Sequence, residues 1–243
     1  MSTKPLIIAH RGASSLVQFE NTLASFAKAI ELGIPMTEFD VRKTQDNLFV
    51  VFHDESIDGI KIKDLTYQQL LDISQQKGFD VPLVEDVLKL CQGKIRLDIE
   101  LKEVGYEQEI VELVKQYLDD QDYVIKSFID AAIIAVKQAD ARITTGLLLG
   151  VSKPKNLILI RLSEIFPEYR ILRTKADFVA PNYQLLSYSF SWRMKLMKKN
   201  IYVWTINQEK LMLEVVKKGA FAIITDKPDL ALNLFHISAN NHK

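Results

Sequence analysis

Short apolar runs alternate with amphipathic stretches along the 243-residue chain. The apolar runs have the length of β-strands, and between them apolar residues recur at the three- and four-residue spacing of helices. The predicted strands are Leu6–His10, Met36–Val41, Leu48–His53, Ile95–Lys102, Tyr123–Phe128, Thr144–Leu149, Phe178–Pro181, Tyr202–Ile206 and Ala222–Thr225. The predicted helices are Asn21–Leu32, Tyr67–Ser74, Val84–Cys91, Glu107–Leu118, Ala131–Ala139, Ser189–Lys199, Glu209–Lys217 and Asp229–Phe235, with residues 151–175 helical only in part.

Repeated strand–helix units predict an α/β fold with a parallel sheet. Eight or nine strands suit a closed TIM-type (β/α)8 barrel, and a doubly wound open sheet is the alternative. No linker rich in proline, glycine or serine divides the chain, so we expect a single barrel domain over residues 1–243. About six residues separate the second and third strands, too few for a parallel crossover, so one of them should be an excursion paired with its neighbour.

The segment Ile95–Lys102 places four charges, on Arg96, Asp98, Glu100 and Lys102, on one face of a strand. In a barrel the apolar face packs against the helices, which turns the charged face inward. For the two deeper residues we expect an internal ion-pair network, for example between Arg96 and Asp98. Glu100 and Lys102 lie toward the carboxyl end of the strand, where barrel active sites lie, and there we expect a functional role.

Glu38 and Asp40 repeat this pattern, two residues apart on one strand face. Two carboxylates so close together need a compensating cation, which an arginine could supply. With Glu100 they would instead offer a metal three hard oxygen ligands, a set that suits Mg²⁺ or Ca²⁺ better than Zn²⁺.

Two of the four histidines, His10 and His53, end predicted strands, whereas His236 and His242 lie in or after the last helix and are expected at the surface. A single histidine at a strand end is more often structural than catalytic. Two of them beside a candidate metal site favour a catalytic role for both.

The amino-acid composition excludes several classes of protein. Apolar residues make up 48% and charged residues 26% of the chain, which is ordinary for a globular protein. Basic and acidic residues are both 31, so nothing indicates nucleic-acid binding. The only cysteine, Cys91, excludes an internal disulfide. The apolar run after Lys4 is too short for a signal peptide and no run could span a membrane, so we expect a cytoplasmic protein.

Eight short motifs follow one another along the chain in this order: His10–Ser14, Glu20–Thr22, Glu38–Val41, His53–Asp54, Ile99–Lys102, Ser127–Phe128, Val203–Asn207 and Ile223–Pro228. In this order they resemble the glycerophosphodiester phosphodiesterase family, and the resemblance runs from residue 7 to about residue 230. Each short motif is weak alone, whereas the ordered set over one barrel is specific.

The resemblance implies a barrel enzyme of the phosphatidylinositol phospholipase C-like type. Such an enzyme hydrolyses glycerophosphodiesters, which are small molecules, to sn-glycerol 3-phosphate and an alcohol such as choline or ethanolamine. His10 and His53 would be the general acid/base pair, a role that suits imidazoles with a pKa near neutrality. Attack by the adjacent glycerol hydroxyl would give a cyclic phosphate intermediate, although direct attack by water is an open alternative.

The resemblance also implies a divalent cation, Mg²⁺ or Ca²⁺, held by Glu38, Asp40 and Glu100. The residues that it implies at the substrate are Arg11 and Lys102 at the phosphate, Trp204 at the glycerol and Glu20 within the site. The chain departs from the family in two places. Phe19 stands where the family usually has proline, and the stretch after His53 and Asp54 is shorter and lacks the usual Arg-Thr-Thr sequence.

Three other functions fit parts of the sequence. A lysophospholipase D would use the same residues on lysophospholipids, but the chain shows no hydrophobic anchor. A barrel aldolase or dehydratase would use Lys102 as Schiff base or proton acceptor, and would leave the paired histidines without a role. A non-catalytic binding domain would not need the complete set of acid/base and metal positions.

Overall fold

The computed structural model describes residues 4–150 and 157–235. The strands in this part of the chain are β1 Leu6–Ala9, β2 Met36–Lys43, β3 Phe49–Val51, β4 Ser56–Ile57, β5 Ile60–Lys61, β6 Arg96–Leu101, β7 Tyr123–Ser127, β8 Thr145–Leu149, β9 Phe178–Pro181, β10 Asn200–Val203 and β11 Ala222–Thr225. The α-helices are α1 Leu23–Glu31, α2 Tyr67–Gln76, α3 Val84–Cys91, α4 Glu107–Val114, α5 Asp130–Ala139, α6 Leu157–Ile165, α7 Glu168–Thr174, α8 Tyr188–Leu196, α9 Glu209–Lys217 and α10 Pro228–Leu234.

Eight strands form a closed parallel barrel. Their order around the barrel is β1, β2, β6, β7, β8, β9, β10 and β11, and β1 pairs in parallel with both β2 and β11. Helices connect successive barrel strands and cover the outside. This closure confirms the predicted TIM-type (β/α)8 barrel and excludes the open sheet.

The extra strand predicted near β2 is β3. It pairs with β2 in antiparallel orientation, with Val51 opposite Val41, which confirms an excursion. The predicted strand ended at His53, but β3 ends at Val51 because the chain then leaves the sheet. The small antiparallel pair of β4 and β5 and helix α2 follow before α3 returns to the barrel wall.

The alternation of side chains divides the barrel interior into two halves. The carboxyl-terminal parts of β2, β6 and β7 contribute the buried charged residues Glu38, Asp40, Asp98, Glu100 and Lys126. Strands β8 to β11 contribute the apolar residues Leu148, Phe178, Ala180, Tyr202, Ala222 and Ile224. On the outward face of β6, Leu97, Ile99 and Leu101 are buried in the main core, as the alternation predicted.

Gly146 makes room for the apolar half of the interior. A Cβ atom at this position would lie 2.2 Å from Cζ of Phe178. The ring of Phe178 therefore occupies the space that a side chain at position 146 would need. Apolar side chains therefore fill one half of the barrel interior, and buried charged side chains occupy the other half. In the described ranges, no helix has the length and apolar character that a membrane span requires.

Candidate active site

A tight turn after β1 positions the first charged residues. Arg11 and Gly12 both adopt left-handed backbone conformations, with φ of 54° and 82°. A Cβ atom on Gly12 would lie 2.3 Å from Oγ of Ser25, so only glycine permits the turn to pack against the start of α1. Ser25 completes a capping box with Thr22 and donates a hydrogen bond to the carbonyl oxygen of Arg11. The amino end of α1 thus fixes the turn that carries His10 and Arg11.

The imidazole of His10 is held by a carboxylate from the other end of the chain. Its Nδ1 lies 2.6 Å from Oδ1 of Asp226, and its Nε2 lies 3.9 Å from Oε2 of Glu38. Nδ2 of Asn207 donates to the other oxygen of Asp226. Burial alone would raise the pKa of Asp226, but these contacts with His10 and Asn207 hold it below its usual value. Asp226 therefore remains ionised and orients the His10 ring.

His53 has a partner of the same kind. Its Nδ1 lies 2.7 Å from Oδ1 of Asp54, and Nε and Nη2 of Arg42 donate to its backbone carbonyl. Burial and the nearby charge of Lys102 lower the pKa of His53, while Asp40 opposes them. The imidazole therefore favours the neutral form, in which its second ring nitrogen can accept a proton.

Three buried carboxylates, those of Glu38, Asp40 and Glu100, come together beside the histidines. One oxygen from each lies within 4.8 Å of the others. Nζ of Lys102 lies 2.7 Å from Oδ1 of Asp40 and 2.5 Å from Oε1 of Glu100, and Nε of Arg11 lies 3.2 Å from Oδ2 of Asp40. Burial favours the neutral form of Asp40, but Lys102 and Arg11 lower its pKa below the usual range. Burial raises the pKa of Glu100, with Lys102 opposing it.

An ion-pair network lies beneath this triad, as expected, but with a different cation. Nζ of Lys126 lies 2.7 Å from Oδ2 of Asp98 and 3.4 Å from Oε1 of Glu38. Burial raises the pKa of Asp98 to about 6, and Lys126 opposes that shift. The suggested pair of Arg96 with Asp98 is wrong. Arg96 begins β6 at the amino end of the barrel, where it is exposed and its Nε donates to the carbonyl of Gln121.

Within the described residues, this cluster joins four buried carboxylates to three cations. The carboxylates are those of Glu38, Asp40, Asp98 and Glu100, and the cations are Arg11, Lys102 and Lys126. The excess of negative charge and the convergence of three oxygens fit a hard divalent cation, which prefers oxygen ligands. The triad can therefore bind a metal ion.

A cavity of about 380 Å³ opens above these groups, and Lys102, Lys126 and both histidines line it. Its other wall is apolar and is formed by Phe128, Leu148, Trp204 and Ile224. Nε1 of Trp204 donates to the carbonyl oxygen of Ala180, and its ring meets that of Phe128 edge to face at 5.6 Å. The cavity thus combines a floor of cations and carboxylates, which could hold a metal ion, with a wall that contains the ring of Trp204.

The structure brings all nine proposed site residues to this cavity or its edge. Seven of them line the cavity directly: His10, His53, Arg11, Lys102, Trp204, Glu38 and Glu100. Asp40 lies under Lys102 and Arg11. Glu20 lies at the mouth, with its Oε1 2.6 Å from Nη1 of Arg11. His236 and His242 lie outside the described residues.

Sequence reasoning assigned no role to Lys126, Asp226, Asn207 or Asn21. Lys126 left a detectable signal, because it is a charge at an inward position of an otherwise apolar strand. The other three lie within motifs of the resemblance, but their partners could not be read from the sequence, since the hydrogen bond between Asn207 and Asp226 joins the ends of two strands and Nδ2 of Asn21 donates to Asp40 across 19 positions. The tertiary structure brings these partners together.

The chain is similar to known proteins over almost its whole length. The sequence model described as the glycerophosphoryl diester phosphodiesterase family matches residues 10–230. YhdW of Bacillus subtilis, provisionally named a glycerophosphodiester phosphodiesterase, is 30% identical over 93% of this chain and 96% of its own length. The glycerophosphodiester phosphodiesterase of Caldanaerobacter subterraneus is 28% identical over 95% of this chain and 98% of its own.

Solved structures show the same fold. The crystal structure of a glycerophosphodiester phosphodiesterase from Parabacteroides distasonis matches this chain with a TM-score of 0.81 and 26% identity. The match covers 96% of this chain and 97% of the other.

Proposed function

The chain belongs to the glycerophosphoryl diester phosphodiesterase family, and on that premise we propose that its cavity hydrolyses glycerophosphodiesters to sn-glycerol 3-phosphate and an alcohol. The observation that carries the proposal is the pair of imidazoles in one cavity, each held by a carboxylate, above three convergent acidic groups and two further cations. A phosphodiester anion resists attack by a nucleophile, and this arrangement supplies both charge neutralisation and proton transfer.

Glu38, Asp40 and Glu100 would hold a divalent cation, Mg²⁺ or Ca²⁺. When bound, such a cation supplies electrostatic stabilisation to the charge that develops on the phosphoryl oxygens. The rest of that stabilisation comes from the chain itself. Arg11 and Lys102 border the cavity as permanent cations, because the neighbouring carboxylates outweigh burial and raise the pKa of both side chains. They would bind the non-bridging oxygens of the phosphate and orient the phosphorus toward the histidines.

Trp204 would pack against the glycerol carbons, since its ring is a rigid wall fixed by the hydrogen bond to Ala180.

His10 and His53 would share the proton transfers. In the first step, the glycerol 2-hydroxyl loses its proton to one imidazole as its oxygen bonds to phosphorus. The bond from phosphorus to the alcohol oxygen then breaks, and the other imidazole protonates that oxygen. Water opens the resulting cyclic phosphate with the two roles reversed.

The activity is tested by coupled detection of glycerol 3-phosphate from glycerophosphocholine, with Mg²⁺, Ca²⁺ or excess chelator. Turnover that depends on metal supports the proposal, whereas no turnover of any glycerophosphodiester overturns it. A parallel assay on a lysophospholipid separates this activity from that of a lysophospholipase D.

The cyclic intermediate has its own test. A glycerophosphodiester that lacks the 2-hydroxyl should bind but not turn over, when both substrates are assayed at saturating concentration with the same metal. Comparable kcat for the two substrates would eliminate the cyclic phosphate and leave water as the nucleophile.

We also propose that one barrel domain accounts for residues 1–243 and acts in the cytoplasm on a small diffusible substrate. The single cysteine, Cys91, is buried and unpaired in α3, which fits a reducing compartment.

A further inference from the structure

A second, smaller cavity of about 140 Å³ shares His53 with the active-site cavity. Three phenylalanines line it, and they come from separate segments: Phe19 precedes α1, Phe52 follows β3, and Phe79 lies between α2 and α3. The rings of Phe19 and Phe79 stack with their centroids 5.0 Å apart and an angle of 29° between their planes. The cavity therefore has a wall of aromatic rings next to a proposed catalytic residue.

Two carboxylates, those of Glu20 and Asp54, also line this cavity. Each uses one oxygen for a partner in the active site, since Oε1 of Glu20 contacts Arg11 and Oδ1 of Asp54 contacts His53. Their second oxygens accept no hydrogen bond from residues 4–150 or 157–235. Negative charge thus remains available beside the rings.

The third polar group at this cavity is a buried amide. Asn21 lines the same cavity and is only 5% exposed, and its Oδ1 has no hydrogen-bond partner among the described residues. Its Nδ2 is fixed by Asp40, which holds the amide in place. A buried acceptor without a partner is costly, and it adds a partial negative charge beside the cavity.

We propose that this cavity binds the cationic head group of the alcohol, a quaternary or primary ammonium such as that of choline or ethanolamine. The proposal rests on the proposed function and names the substrate class within it. Aromatic faces attract an ammonium group electrostatically, and carboxylates at the edge complete its charge balance. A head group bound here brings its ester oxygen toward His53, the residue that both cavities share.

The subsite depends on the stack of Phe19 with Phe79. Phe79 belongs to the segment between α2 and α3, and its stack with Phe19 joins that segment to the loop that carries Glu20. The head-group preference therefore follows from two positions outside the acid/base and metal-binding set.

The test compares glycerophosphocholine with its uncharged isostere, the 3,3-dimethylbutyl ester, in which carbon replaces nitrogen. Because the two substrates have the same shape, the ratio of their kcat/KM values isolates the effect of the charge. We expect the wild-type protein to prefer the choline ester roughly tenfold, the range of a partly desolvated cation–π contact. Phe79→Leu and Phe19→Leu, which keep an apolar side chain without the ring face, should each move the ratio toward one.

Trp192→Leu is the matched control, since Trp192 is an exposed aromatic residue on α8 and lines neither cavity. It should leave the ratio unchanged. Glu20→Gln should lower the ratio as well, although both rates will fall because Arg11 loses its partner. A wild-type ratio near one, or a ratio that both phenylalanine variants leave intact, overturns the subsite.

Binding provides a readout that does not need turnover. NMR titration of the wild-type protein with choline and with 3,3-dimethylbutanol should show tighter binding of choline, with shifts in the rings of Phe19, Phe52 and Phe79. Equal affinities overturn the subsite. If no ester is hydrolysed, the proposed function fails. If both esters are hydrolysed equally well, that function stands and only the head-group subsite fails.

Discussion

Nδ1 of His10 lies 2.6 Å from Oδ1 of Asp226, although 216 positions separate the two residues in the chain. His10 follows β1 and Asp226 follows β11, and these strands are neighbours because the barrel closes there. The contact fixes the orientation of the ring and leaves Nε2 on the side of Glu38 and the cavity. We therefore expect Asp226 to position His10 rather than to contact the substrate.

We expect Asp226→Asn to lower kcat by roughly tenfold or more and to leave KM nearly unchanged, because the amide cannot hold His10 in the same tautomer. The check is steady-state kinetics across pH, in which the pH profile of Asp226→Asn should differ from that of the wild-type protein. Asn207→Ala removes the donor to the Asp226 carboxylate and the acceptor for the backbone N–H of Asp226 and for Oγ1 of Thr225, but it leaves the contact of Asp226 with His10 and should have a smaller effect. A wild-type pH profile in Asp226→Asn would show that the contact is only structural.

Replacement of either histidine should separate catalysis from stability. We expect His10→Ala and His53→Ala each to lower kcat by ~10²-fold or more, the usual scale for loss of a general acid or base. Both variants should still fold, since neither side chain belongs to an apolar core cluster. Circular dichroism and thermal unfolding provide the control, and a folded variant with a near wild-type rate would mean that its histidine is structural.

Removal of metal should abolish turnover and leave the barrel intact. The three carboxylates that would hold the ion already have Lys102, Arg11 and Lys126 as partners, so the folded state retains charge compensation without the ion. Activity after dialysis against chelator, with bound metal measured by elemental analysis, gives the result. Full activity in verified metal-free protein would contradict the assignment of Glu38, Asp40 and Glu100.

The buried pair of Lys126 and Asp98 should dominate the stability of the polar half of the interior. Lys126→Met leaves Asp98 without its cation, so we expect the free energy of unfolding to fall by about 3–5 kcal/mol. The double variant with Asp98→Leu should recover part of that loss. Urea unfolding measures both, and Lys195→Met on the exposed face of α8 should change stability by less than about 0.5 kcal/mol. Additive losses in the double variant would mean that the two side chains are not coupled.

The pKa of His53 should lie below its ordinary value of 6.5 in the metal-free protein. Burial and the positive charge of Lys102 both disfavour the imidazolium form, so Lys102→Met should raise the pKa. NMR titration of the ring signals measures both values, and His53→Gln assigns them. A pKa that falls in Lys102→Met would contradict this account of the electrostatics.

The sequence by itself determined the fold class and most of the site. Strand and helix periods are local properties, so Phe178–Pro181, Ala222–Thr225 and Val84–Cys91 could be predicted with their observed bounds. The alternation in β6 likewise predicted that Glu100 and Lys102 face inward, because neighbouring side chains on a strand point to opposite faces. The candidate carboxylates and histidines followed from the same patterns and from the resemblance.

Only the tertiary structure decided which charged side chains form ion pairs with each other. Arg96 and Lys126 are both cations on inner strand positions, yet Lys126 reaches Asp98 because β6 and β7 are paired with a register that brings Lys126 beside Glu100. Arg96 stands at the other end of its strand and reaches out of the barrel. Closure of the barrel also joined Asp226 to His10, and the paths of three loops brought Phe19, Phe52 and Phe79 around one cavity. Such contacts depend on strand register and loop paths, which are set by packing over the whole molecule and leave no local pattern in the sequence.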